Sequence, residues 1–180
     1  MKICLVGPCS PRHLDSLLND CDDTILDKFE FFSGLPVSNL AIDLVRLGHE
    51  VQIVSTYFGS HEISLEGKNL RAWFLPSERS HRKRALSLWK CDRARIEQKI
   101  RSLDFDVIHA HWTYEYALPA LKIENDAIIT AHDSPLRILL HYRDVYWLLR
   151  FFLSFLVRIK TRNLFAVSHH LANDWRSLMF

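Results

Sequence analysis

Glycine is scarce in this chain, five residues in 180, and Gly7 and Gly34 each stand alone. The three-glycine turn of dinucleotide-binding proteins is therefore missing, which argues against an NAD enzyme. The four cysteines, Cys4, Cys9, Cys21 and Cys91, show no C-x-x-C spacing and are too sparse for a secreted disulfide scaffold. Reduced thiols in a cytoplasmic protein are expected. Neither sign of charge dominates: 23 basic and 21 acidic side chains leave a formal net charge of +2, so no global field points to nucleic acid. Long hydrophobic runs are also absent. The most apolar stretch, Val145 to Ile159, is interrupted by Arg150 and Arg158 and falls short of the roughly twenty residues a bilayer requires. The apolar start, Ile3 to Val6, ends at Gly7-Pro8, too soon for the core of a signal peptide, and reads as a strand. No internal repeat or low-complexity tract occurs.

What is present is a chain with 48% hydrophobic residues, enough for one core in a domain of this size. Residues 104–135, DFDVIHAHWTYEYALPALKIENDAIITAHDSP, organise it. Two apolar runs, Val107-Ile108 and Ala127 to Thr130, each lead to a histidine, and a segment rich in Tyr, Ala and Leu separates them. The pattern is strand, helix, strand. Continuous rather than alternating hydrophobicity marks strands covered on both faces, the condition of a parallel sheet flanked by helices. Further strands are expected at 51–55, 70–75 and 164–168. A helix over 36–47 carries the stripe Val37, Leu40, Ala41, Leu44, Val45 and Leu47, with Gly48 as its left-handed cap. Others are expected over 85–103, over part of 135–160 and from His169 onward. Residues 9–28, polar and acidic, read as an insertion over the mouth of a cleft. The basic run Arg79 to Arg84 reads as a solvated helix start, with contact to an anionic acceptor or acidic lipid as the alternative. Trp175, Leu178 and Met179 form an apolar face that nothing downstream continues, so a larger protein is expected.

Helix-separated strands joined by right-handed crossovers predict an α/β, Rossmann-like doubly wound domain with a mostly parallel sheet of about six strands. Its switch point falls between the first and fourth strands, where ligands bind in open parallel sheets. The Gly7-Pro8 turn, the Ser33-Gly34 loop, His111-Trp112, His132-Asp133-Ser134 and Ser168 would converge there. A glycine ahead of a helix lets backbone amides approach a phosphate, and the helix amino terminus adds favourable charge. This makes Ser33, Gly34, His111, Trp112, Asp133 and Ser134 candidate substrate-binding residues. His109 and His111 share a face by strand alternation, and His109 reads as the core-bound member. His132 closes the fifth strand beside Asp133, whose carboxylate is placed to orient or polarise it, and is the candidate catalytic residue. Trp112 and Tyr114 read either as rings that stack on a sugar or base, or as cover for the sheet end. The adjacent pair His169-His170 projects in different directions without a third ligand at suitable spacing, so no metal is expected.

Taken together, KICLVGP, SGLPVSNLAIDLVRLGHEVQIVS, FDVIHAHWTYEYALPAL, IITAHDSP and LFAVSHHLAND resemble the amino-terminal half of a GT-B glycosyltransferase of the large retaining family 4 group. The resemblance spans nearly the whole chain apart from 9–28 and much of 135–160. It implies that 1–180 is the acceptor-side domain of a hexosyltransferase-like enzyme whose carboxyl-terminal nucleotide-sugar domain lies outside this chain. Such an enzyme moves a sugar from a nucleoside-diphosphate sugar to a polysaccharide, lipid or small-molecule acceptor, with retention and with neither metal nor cofactor. The loop matching Ser33-Gly34 would approach the donor phosphates, although Ser33 stands where the family often has the first of two glycines. The histidine matching His132 would lie beside the transferred sugar. The basic pair and glutamate motif belong to the other half, so the fragment alone is expected to be inactive. Two alternatives remain on the same fold: a non-catalytic binding module, or a nucleotide-sugar epimerase. Cytoplasmic location is expected, with no nucleic-acid partner. The aromatic and basic residues of 142–160 leave open a peripheral association at the inner face of the membrane.

Overall fold

The computed structural model describes residues 1–19 and 29–177. In chain order the strands are β1 (Lys2–Val6), β2 (Glu30–Phe31), β3 (Glu50–Phe58), β4 (Ile63–Gly67), β5 (Leu70–Pro76), β6 (Val107–His111), β7 (Ile128–Ala131) and β8 (Asn163–Ala166). The helices are α1 (Leu35–Arg46), α2 (His81–Leu86), α3 (Lys90–Arg101), α4 (Ala117–Ile123), α5 (Pro135–Tyr142), α6 (Val145–Lys160) and α7 (His169–Ser177). Six strands run parallel in the order β5-β3-β1-β6-β7-β8, the doubly wound arrangement expected from the sequence. The order reverses beside β1, between β1 and β6.

Both faces of the sheet are covered, as the continuous apolar runs require. Along β1, Cys4 and Val6 enter a core shared with α3, α4 and α6, while Ile3 and Leu5 enter a second core beneath α1. Two antiparallel strands extend the predicted set. The β4–β5 hairpin turns through Asn69 at φ 58, and β2 pairs with the end of β3. Both are short and have one half-exposed face, which leaves little apolar signal to read.

Three segments depart from expectation. The helix expected over 85–103 is broken, because Leu88 and Trp89 adopt φ of 51° and 53° and separate α2 from α3. The break turns the Trp89 ring into the core, edge-on to Tyr146 at 5.5 Å. The described part of 9–28 does not cover the cleft mouth. Leu14 is fully buried beneath α1, Leu18 bridges to Gly67, and the Asn19 amide donates to Glu66 O at 3.0 Å. That path runs down to the amino-terminal rim of the sheet; residues 20–28 lie outside the described residues. The segment 135–160 is two helices, separated where Arg143 takes φ 51 and Asp144 caps the Trp147 amide at 2.8 Å. As expected, its second helix packs on the sheet layer, burying Leu153, Ser154 and Val157 next to α2 and α4. Gly48 closes α1 at φ +85, although Leu47 is exposed rather than part of the buried stripe. Among the described residues no helix is long and apolar enough to cross a membrane.

Candidate functional site

The site is built where three chain segments touch at the carboxyl end of β1. Gly34, buried at the start of α1, abuts the Gly7-Pro8 turn so closely that an added Cβ would lie 1.7 Å from Pro8 O. At Gly7 a Cβ would meet His111 Cβ at 3.0 Å and Val37 Cγ2 at 3.1 Å. The Cys9 amide donates to Ser55 Oγ at 3.0 Å, and Ser38 Oγ donates to Gly34 O at 3.3 Å. The amino terminus of α1 is therefore pinned against the ends of β1 and β6, with Ser33 exposed above it. Gly34→Ala must move backbone and is expected to cost roughly 2–4 kcal/mol in urea unfolding. Gly48→Ala, at φ +85 with open space around it, should cost only about 1 kcal/mol. Equal losses at the two positions would contradict this packing.

Three imidazoles form a row leading out to the rim. His109 Nε2 shares a hydrogen bond of 2.7 Å with Thr130 Oγ1, and its ring stacks on His111 at 4.4 Å between centroids. His111 Nδ1 and His132 Nε2 are 2.9 Å apart, with their rings 5.2 Å apart and nearly parallel. His132 is half-buried. His111, expected to be the more accessible of the β6 pair, is only 4% exposed, so it acts from behind His132. Burial, together with the neighbouring rings, lowers His109 to about 4 and His111 to about 3, and burial lowers His132 as well. The row is neutral at physiological pH.

That neutrality selects the tautomers. His111 Nε2 is buried and without a partner. An orphaned N–H costs more there than an orphaned lone pair. His111 Nδ1–H therefore donates to His132 Nε2, which leaves Nδ1–H of His132 as that ring's remaining donor. A pH effect follows. Well above pH 6.5 the rings of His109 and His111 are neutral whether folded or unfolded; as pH falls through 6.5 the unfolded rings take protons that the folded ones refuse, so stability falls as pH drops. The loss is roughly 2 kcal/mol per ring by pH 5 for His109 and His111. Buried Asp92 and half-buried Asp133, whose carboxyls desolvation raises, act in the opposite sense. The discriminating quantity is thus the difference between the parent chain and His111→Asn, whose urea midpoint should decline less between pH 7 and 5. Parallel curves would rule out the imidazole row as the cause.

Asp133 does not polarise His132. Its carboxylate accepts from Tyr114 OH at 2.8 Å and its backbone carbonyl accepts from the Trp175 indole at 3.1 Å, so it turns inward and fixes the turn that carries His132. Tyr114 is 1% exposed and cannot stack on a ligand. Trp112, at φ 68, is half-buried against the core and has the Arg150 guanidinium 5.8 Å from its ring. Ser134 precedes α5 and hydrogen-bonds Asp174. Ser168 Oγ accepts from the Leu171 amide at 3.2 Å and opens α7.

A buried ionic network lies directly behind Tyr114. Arg150, on α6, sits 4.0 Å over the Tyr114 ring, donates to Tyr146 OH at 2.9 Å and pairs with Glu115 at 3.3 Å. Glu115 is also 3.7 Å from Arg84, which pairs with Asp92 at 2.9 Å. Arg84 is therefore buried, not part of a solvated helix start. Sequence reading missed this network, though a signal existed: Arg150 and Glu115 are single charges inside strongly apolar runs, where an unpaired charge is not tolerated. Among the described residues no three His, Cys, Asp or Glu side chains are grouped so as to hold a metal ion. Residues 37–180 match the family model described as Glycosyltransferase Family 4. Comparison with curated proteins gives no match.

Proposed function

Because this chain belongs to glycosyltransferase family 4, we propose that the rim joining Gly34 to His132 is where its enzyme holds the sugar being transferred from a nucleoside-diphosphate sugar to an acceptor hydroxyl. The observation that carries this reading is an unbroken series of contacts: Gly34 on Pro8, Gly7 on His111, and His111 on His132. It brings a helix amino terminus and a neutral imidazole donor to the same rim of the sheet, beside the switch point.

The chemistry of sugar transfer calls for those two features. Departure of a nucleoside diphosphate builds negative charge on the leaving phosphates, and aligned backbone amides with the positive end of α1 oppose that charge. His132, neutral, would donate Nδ1–H to a hydroxyl of the transferred sugar and hold the anomeric carbon in register without introducing a charge that must be desolvated. Asp133 acts through its inward anchors, as a positioning residue. Trp112 and Ser134 would border the sugar, and Ser33 would face the phosphates. The proposal includes retention of anomeric configuration, no metal, and a second, carboxyl-terminal domain that grips the nucleotide and closes the crevice. The free thiols Cys4, Cys9 and Cys91 suit a reducing compartment such as the cytoplasm.

Calorimetry of the full-length protein, including the carboxyl-terminal domain, with a panel of nucleotide sugars and the bare nucleoside diphosphates tests this. One nucleotide sugar should bind better than its diphosphate, and His132→Ala should remove most of that difference while leaving diphosphate binding near its parent value. Failure of every nucleotide sugar to bind, or an equal loss for sugar and diphosphate, would overturn the assignment. Binding without any turnover would favour the non-catalytic module.

A further inference from the structure

Helix α6 presents an apolar face to solvent. A surface helix ordinarily buries its apolar stripe and shows water its polar side. In α6 the exposed residues are Val145, Leu148, Phe152, Phe155, Ile159 and Lys160, and all but the last are hydrophobic. Their spacing of three and four residues places the five on one line about 21 Å long, at 1.5 Å per residue. Each retains between 37% (Phe155) and 62% (Val145) of its surface. At the amino end of the line, Leu140 and Tyr142 of α5 are also exposed, and Tyr142 stacks on Trp147 at 5.5 Å. Leu139, Leu140, Val145 and Leu148 border a shallow depression of about 380 Å³ there.

Basic side chains outnumber acidic ones around this line. Arg143 stands at its amino end; Arg158 and Lys160 flank Ile159 at its carboxyl end, with Arg162 just beyond. Of the nearby acids, Asp144 is spent capping the Trp147 amide and Asp126 lies 3.5 Å from Arg162. Two copies of the chain packed along this face would set like charges together in either orientation: Arg143 against Arg158 and Lys160 if antiparallel, each against itself if parallel. An anionic surface has the complementary charge.

We propose that the outer face of α5 and α6 docks the domain on an anionic phospholipid surface, with α6 lying in the plane of the interface. Val145, Leu148, Phe152, Phe155 and Ile159 enter the boundary between headgroups and acyl chains, Tyr142 sits at headgroup level, and the basic side chains reach back to lipid phosphates. This goes beyond the sugar-transfer reading and does not depend on it.

Flotation of the full chain with vesicles is the test. Vesicles of phosphatidylcholine mixed with phosphatidylglycerol should carry the chain upward, vesicles of phosphatidylcholine alone should carry far less, and high salt should release it. Phe152→Gln and, separately, Leu148→Gln should each lower the bound fraction roughly tenfold, the scale of one withdrawn apolar side chain. Both are exposed positions, so melting temperatures should hold or rise, and two variants guard against one that misfolds. Three results would overturn the proposal: no flotation with anionic vesicles, flotation indifferent to both substitutions, or a dimer in sedimentation that Phe152→Gln dissolves and that leaves vesicles unbound.

Discussion

Replacement of Arg150 by Met should destabilise the chain by roughly 3–5 kcal/mol, the range for removing one partner of a buried ion pair. Arg150 is 8% exposed and Glu115 3%. Once the guanidinium is gone, the ion pair left to Glu115 is with Arg84, at 3.7 Å and already committed to Asp92, and Arg93 acts on it without a direct bond. Tyr114 also loses the cation over its ring, and with it part of the support for Asp133. Methionine matches the arginine stem in reach, so lost packing is a small part of the effect. The double variant Arg150→Met/Glu115→Leu should recover much of the loss, because it removes the stranded charge as well. Urea unfolding of the parent and both variants measures this. A single-variant loss below about 1 kcal/mol, or a double variant worse than the single, would show that the network does not carry the stability assigned to it.

His132→Ala in the full-length enzyme should lower kcat by about two to three orders of magnitude, the scale for removing one preorganised donor at a reacting centre. Its effect on stability should be small by comparison, since His132 is half-buried and leaves behind only the Nδ1–H of His111. Asp133→Asn offers a contrast. Tyr114 OH can still donate to the remaining amide oxygen, so the turn holds and turnover should fall less. Near-normal rates for His132→Ala, with the fold intact by circular dichroism, would remove His132 from the site.

Much of this arrangement was legible from residues alone, because strands buried on both faces announce themselves as unbroken apolar runs. Val107-Ile108 and Ala127 to Thr130, each leading to histidine, located the rim. Gly34 and Gly48 marked the two ends of α1 through close approach and positive φ. What stayed hidden depends on partners distant in sequence. The break at Leu88-Trp89 exists because the indole packs on Tyr146, far along the chain, and helical periodicity on either side of the break looks continuous. The inward turn of the Asp133 carboxylate depends on Tyr114 OH, and nothing in IITAHDSP reveals that preference. Arg84 read as solvated because its neighbours Arg82 and Lys83 are exposed; only Asp92 and Glu115 draw it inside. β2 and β4 contribute too few apolar residues to be visible as strands.

The proposed sugar transfer requires the sugar to be held at the rim between Gly34 and His132. A structure of the full-length protein soaked with the nucleotide sugar that binds best is the most direct measurement. The expected result is a hydroxyl of the transferred sugar within about 2.6–3.2 Å of His132 Nδ1, with the diphosphate facing the start of α1. A donor bound elsewhere, with the imidazole of His132 still open to water, would contradict it.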